Sequence, residues 1–164
     1  MNSTIKKTVV SAMLASLICV ATMFRVPLPV IGYVNLGDAF VLLAGWCLPL
    51  PYCVLAAGIG SALADMLSGY AIYIPATFII KGLMAAVVFF GHKKTLKKQR
   101  FGLLSILSLA AAELIMVFGY YVFEGFMLGF VPALVNIPYN ALQGVVGLAL
   151  GVALIKLFDK VKIL

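Results

Sequence analysis

Apolar residues run along this chain in five stretches, residues 5–24, 38–64, 71–91, 101–123 and 131–158, with short polar joins between them. About 20 apolar residues is the length at which an α-helix crosses the roughly 30 Å hydrocarbon core of a bilayer. The pattern predicts helices throughout. The second stretch carries Pro49-Leu50-Pro51 at its middle. A proline inside a helix removes one hydrogen bond and clashes with the preceding turn, so two short helices are expected there. The reading is six helices, at residues 5–24, 38–49, 51–65, 71–91, 101–123 and 131–158. They form an all-α integral membrane bundle, a single domain over residues 1–164. The second and third helices, at 12–15 residues, span only roughly 18–23 Å. Their outer ends therefore stop below the surface, and the loop 25–37 can fold inward over a recess. Pro27, Pro29, Gly32 and Gly37 mark it as a shaped loop.

Composition removes the soluble alternatives. The chain has 164 residues, of which 65% are apolar and 10% charged, and its mean hydropathy is +1.19. A soluble domain carries roughly 45–50% apolar and about 25% charged residues, and a chain this short cannot bury so large an apolar excess. The net charge of +7 does not point to nucleic acid. Ten of the twelve basic residues stand in three patches beside apolar runs: Lys6/Lys7, Lys93/Lys94/Lys97/Lys98/Arg100 and Lys156/Lys160/Lys162. Six spans place all three patches on one side, and the positive-inside rule makes that side and both termini cytoplasmic. Arg25 is left outside and Lys81 falls within a helix. The run after Lys6 and Lys7 exceeds the 7–15 residues of a signal-peptide core, so a retained first helix is expected. Cys19, Cys47 and Cys53 form no metal or disulfide spacing. Small residues in the third helix, and Gly144, Gly147 and Gly151 in the sixth, predict close helix packing.

Candidate chemistry follows from the polar residues that remain inside the apolar runs, because each is expensive there. Lys81 and Glu113 lie at similar depth, roughly 15–18 Å from the inner ends of their helices. They are expected as near neighbours, or as two walls facing one ligand; a register-fixing ion pair is the plainer alternative. Glu113, Tyr120 and Glu124 share one helix face, and Asn136, Asn140 and Gln143 share another. Together they describe a polar funnel from the outer surface to the midplane. The inner half has almost no polar lining, which argues against a pore. Tyr70, Tyr73, Tyr120, Tyr121 and Tyr139 gather at the outer mouth, most of them as an interfacial belt. Trp46 belongs to the inner end. There is no ATP-binding G-x-x-x-x-G-K-[ST] loop, the lone His92 is in the basic loop, and no catalytic triad is possible in the membrane. No enzyme activity, cofactor or metal is expected.

Four segments carry a resemblance: VNLGDA at 34–39, AAGIGSALAD at 56–65, PATFIIKG at 75–82 and NIPYNALQG at 136–144. With the size and helix count they resemble the substrate-binding S components of energy-coupling factor (ECF) vitamin transporters, in particular the riboflavin-transporter-like group. The likeness covers about residues 5–158. It implies a multi-pass subunit of the bacterial cell membrane that captures a water-soluble vitamin from outside, between the outer parts of helices 4–6 and the first loop. It also implies docking on a membrane T component driven by two cytoplasmic ATPases, through small residues on the first helix; Ala12 and Ser16, or Ser11 and Ala15, stand at that place. The binding set is then Asn35, Asp38, Asp65, Lys81, Glu113, Tyr120, Glu124, Asn136, Asn140 and Gln143. Riboflavin, a pyridoxine-type pyridine and a hydroxymethylpyrimidine-type precursor remain open as ligand. Competing readings are a self-sufficient proton-coupled secondary transporter, with Glu113 or Asp65 as carrier, and a structural subunit whose polar stripes only pack helices.

Overall fold

A computed structural model describes residues 3–27, 33–96 and 101–161. Lys97, Lys98, Arg100 and Lys162 of the basic patches, and Pro29 and Gly32 of the first loop, lie outside them. Six helices of ten or more residues form the bundle among the described residues: α1 (Ser3–Met23), α2 (Asp38–Cys47), α3 (Leu50–Leu67), α4 (Ile74–Leu96), α5 (Leu103–Leu128) and α7 (Ile137–Val161), with a four-residue α6 (Phe130–Ala133) leading into the last. Five segments are long and apolar enough to cross a membrane: Thr4–Met23, Leu50–Leu67, Ala71–His92, Leu103–Leu128 and Phe130–Lys160. The chain is a multi-pass, all-α membrane bundle.

The double proline breaks the second apolar stretch as expected. Cys47 ends α2, Pro49 caps α3 in an extended conformation, and Pro51 occupies its first turn, where a missing N–H is of no consequence. The two halves are unequal, however. At ten residues α2 is about 15 Å long, whereas α3 reaches 18 residues and spans nearly the full hydrocarbon thickness. Only α2 is short. Its first residue, Asp38, therefore sits deep in the bundle and is fully buried.

The first loop contains strands β1 (Arg25–Pro27) and β2 (Tyr33–Asn35), paired antiparallel with Arg25 opposite Asn35. After β2 the Asn35 side chain accepts from the Gly37 N–H at 2.8 Å, a local turn that starts α2. Gly129, with φ +94°, ends α5; only glycine adopts that conformation without strain.

The six helices of the bundle, α2 included, alternate in direction. Trp46 at the end of α2 donates to Asp159 near the end of α7 at 3.1 Å. Its ring lies 3.7 Å from that of His92 near the end of α4 and 5.4 Å from that of Phe101 just before α5. The Ser11 hydroxyl of α1 donates to the carbonyl of Tyr52 at the start of α3 at 3.1 Å. One end of the bundle therefore gathers helix starts α1, α3 and α5 with helix ends α2, α4 and α7. From there an apolar core built on Leu42, Cys53, Met84, Val88, Leu109 and Ile155 fills the centre. All six are fully buried, so this half of the bundle is a plug.

Small residues permit the tight crossings. A Cβ on Gly60 of α3 would meet the Ala15 carbonyl of α1 at 2.5 Å, and one on Gly151 of α7 would meet Leu42 at 2.7 Å. The four small residues of α1 divide accordingly. Ser11 and Ala15 turn toward α3, whereas Ala12 and Ser16 are exposed. Of the two candidate pairs on α1, the rotation of the helix therefore packs Ser11 and Ala15 and leaves Ala12 and Ser16 exposed.

Candidate functional site

Above the apolar plug the polar residues converge. A narrow recess, partly open, is lined by Tyr33, Asn35, Asp65, Tyr73, Thr77, Tyr120, Glu124 and Asn140. Five of these, Asn35, Asp65, Tyr120, Glu124 and Asn140, are in the set read from the sequence.

The floor is an ion pair different from the expected one. Lys81 of α4 is bonded to Asp38 at the start of α2, with side chains 2% and 0% exposed. The other Asp38 oxygen accepts from the Gln143 amide of α7 at 2.5 Å, and the Gln143 carbonyl accepts from the Asn35 backbone N–H at 2.8 Å. A continuous polar chain thus joins α4, α2, α7 and β2. It exists because α2 is short enough to present Asp38 at the depth of Lys81. The lysine ammonium also lies 5.5 Å from the centre of the Tyr120 ring, a cation–π distance.

Glu113 is not in this chain: it stands near Lys81, but the alternative of a direct Lys81–Glu113 ion pair is corrected, since Lys81 pairs with Asp38. The turn of α5 directs Glu113 at α7, where a Cβ on Gly147 would meet its carboxylate at 2.8 Å and the Asp38 Cβ at 2.9 Å. Gly147 makes the room for both acids. Neither Glu113 oxygen has a hydrogen-bond partner among the described residues, although the side chain is buried. Glu113 is absent from the recess wall.

The walls are tied pairwise. Tyr73 donates to one Glu124 oxygen at 3.1 Å, and the Asn136 amide donates to the other at 3.0 Å. Thr77 and Tyr120 share a hydroxyl bond at 3.1 Å. Asn136 is fully buried behind Glu124 and holds it rather than lining the space.

At the rim the Tyr33 phenol donates to Asp65. Burial, reinforced by the adjacent Asp65 carboxylate, raises the Tyr33 phenol above its ordinary range, so it stays a donor. Arg25 is bonded to Ser68 and lies over the rings of Tyr33 and Tyr70, at 5.4 and 5.7 Å. These contacts pin the β-ribbon to the far end of α3, and the Asn35–Gln143 bond pins it to α7.

Sequence reasoning missed Tyr33 and Thr77 as wall residues, and it left Tyr73 within a group of tyrosines read mostly as an interfacial belt. Tyr73 is only 4% exposed. The available signal was position: Thr77 stands four residues before Lys81 on α4, one turn toward the mouth. Tyr33 carried no such signal, because its place depends on the ribbon. Tyr139 is 39% exposed and does not line the recess.

The profile of the family described as "ECF-type riboflavin transporter, S component" matches residues 2–160. A protein of Pyrococcus woesei, described as an uncharacterized protein in gap 3'region, is 31% identical over 136 residues, which cover 82% of this chain and 88% of that protein.

Proposed function

Because the chain belongs to the family of ECF-type riboflavin transporter S components, we propose that it captures a water-soluble vitamin or vitamin precursor from outside the cell. In this reading it hands the ligand on through a membrane T component powered by two cytoplasmic ATPases. It spans the cell membrane six times, with both termini in the cytoplasm, and performs no chemistry of its own. The topology is supported by the alternating helix directions and by the basic patches. Lys6, Lys7, Lys156 and Lys160 stand at the end that also holds Trp46 and Asp159, as the positive-inside rule asks.

The observation that carries the binding role is the one-sidedness of the polar groups. Asp65, Glu124, Tyr73, Thr77 and Asn140 face a recess at one end, and an apolar plug closes the other half. A channel needs a polar path throughout, whereas a receptor needs a recess and a floor. Asn35, Asp65, Tyr120, Glu124 and Asn140 are assigned to ligand contact. Lys81, Asp38, Gln143 and Asn136 are assigned to holding the floor and walls. Ala12 and Ser16 are the pair on α1 left free for docking.

Native mass spectrometry of the purified protein, followed by calorimetric titration with riboflavin, pyridoxine and hydroxymethylpyrimidine, tests the reading. A co-purified or titratable vitamin with submicromolar affinity is expected. Ligand uptake by vesicles that contain this chain alone, without ATPase, would instead support the proton-coupled transporter.

A further inference from the structure

The charge balance around the recess narrows the ligand, on the premise that the recess is the vitamin site proposed above. Four of the five acidic residues of the chain, Asp38, Asp65, Glu113 and Glu124, stand in this outer part of the bundle. Among the described residues only two basic ones, Lys81 and Arg25, stand with them; the other ten belong to the three basic patches of the sequence, and residues 28–32 of the loop contain no charge. The two cations are also committed. Lys81 is bonded to Asp38 beneath the floor. Arg25 is held at the rim by Ser68 and two tyrosine rings, and it is not part of the recess wall.

Two carboxylates therefore face the recess without a salt bridge among the described residues, Lys81 and Arg25 reaching Asp65 only through space. Asp65 is 3% and Glu124 2% exposed. Glu124 has one neutral donor on each oxygen, and a carboxylate accepts about four hydrogen bonds in all. Asp65 receives Tyr33 on one oxygen. The Thr77 hydroxyl, shared with Tyr120, is the other neutral donor within reach of Asp65. A buried carboxylate without a cation is unfavourable, and an incoming cation relieves it. Three tyrosines, Tyr33, Tyr73 and Tyr120, complete the wall; tyrosine rings attract cations at their faces and stack on flat rings.

We infer that the recess selects a flat heteroaromatic ligand bearing a protonated nitrogen or an exocyclic amine, and that it excludes carboxylated and phosphorylated forms. Asp65 and Glu124 take the N–H donors, the tyrosines take the ring, and Asn140 reads a remaining polar substituent. No cation in the wall is free to receive an anion.

The test compares matched probes by calorimetric titration on the full-length protein in detergent. Pyridoxamine, pyridoxine and 4-pyridoxate carry an ammonium, a hydroxyl and a carboxylate at one position of one ring. 4-Amino-5-hydroxymethyl-2-methylpyrimidine and its 4-hydroxy counterpart form a second set, and riboflavin is the large neutral probe. At least one amine probe is expected to bind ten or more times tighter than its oxygen counterpart, with no detectable binding of 4-pyridoxate. Asp65→Asn and Glu124→Gln are each expected to weaken that probe at least tenfold. An amine probe that binds no tighter than its counterpart, or one unaffected by both substitutions, overturns the inference. Riboflavin binding without either amine also overturns it, but leaves the vitamin-receptor reading intact. Failure of every probe removes both. The wild-type comparison decides the matter even if a substituted protein does not fold.

Discussion

The Lys81–Asp38 pair offers the sharpest test of the internal architecture, because the neighbouring Glu113 supplies a rival partner. Both members of the pair are essentially without solvent contact. Removing one partner of a buried pair strands the other and typically costs about 3–5 kcal/mol. In Lys81→Met the Asp38 carboxylate keeps only the Gln143 amide. In Asp38→Asn the lysine loses its counter-charge, while the new carboxamide oxygen still accepts from Gln143. Each single substitution is thus expected to lose about 3–5 kcal/mol. The double variant leaves neither charge stranded and is expected to lose no more than either single one. The coupling energy is then about 3 kcal/mol, at the upper end of the ~0.5–3 kcal/mol measured for contacting residues. The assay is equilibrium unfolding in mixed dodecylmaltoside and dodecyl sulfate micelles, with all four corners of the cycle measured together. Lys81→Met combined with Glu113→Gln is the control, and it should recover less than about 1 kcal/mol, within the range of weak couplings. Additivity of the Lys81 and Asp38 substitutions within about 0.5 kcal/mol, or recovery through Glu113 instead, would refute the assignment of Asp38 as the partner.

Four further outcomes follow from the same packing. Glu113→Met is expected to hold or raise stability, by up to about 1–3 kcal/mol, because it removes a buried carboxylate with no hydrogen-bond partner among the described residues; the same unfolding assay reads it, and a loss of more than 1 kcal/mol would expose a missing partner. Ala15→Trp is expected to destabilise by about 1–3 kcal/mol by overpacking the α1–α3 crossing at Gly60. Ser16→Trp, on the exposed side, is expected to leave folding and ligand affinity unchanged and to abolish uptake in cells that supply the ATPase module; normal uptake in that variant would move the docking face elsewhere. Single cysteines in a cysteine-free background should react with impermeant thiol reagents in intact cells at Val26, which is 65% exposed in the ribbon, and be protected at Lys160; the reverse pattern would invert the topology.

The membrane class, the helix count, the break at Pro49–Pro51 and the polar character of one half of the bundle were all legible along the chain. They depend on local quantities: hydropathy over a helix length, proline geometry, and the 3.6-residue repeat that aligns Asn136, Asn140 and Gln143. The same repeat placed Tyr120, Glu124 and Asn140 on inward faces, and they do line the recess. Which charges meet was not local. Depth counting along α4 and α5 put Lys81 and Glu113 level, but depth says nothing of azimuth, and the packing of α5 on Gly144 and Gly147 turned Glu113 toward α7. The counter-charge came instead from Asp38, which only the shortness of α2 carries to the floor of the recess. Tyr33 reached the wall because β1 and β2 pair and the ribbon is anchored to Ser68, Asp65 and Gln143, contacts between residues as much as 108 positions apart. The face of α1 that packs was likewise chosen by its neighbour: Gly60 admits Ala15, so Ala12 and Ser16 face outward. Periodicity sets which residues of one helix share a side; the rotation of that helix against the next is decided by where small residues let two backbones approach.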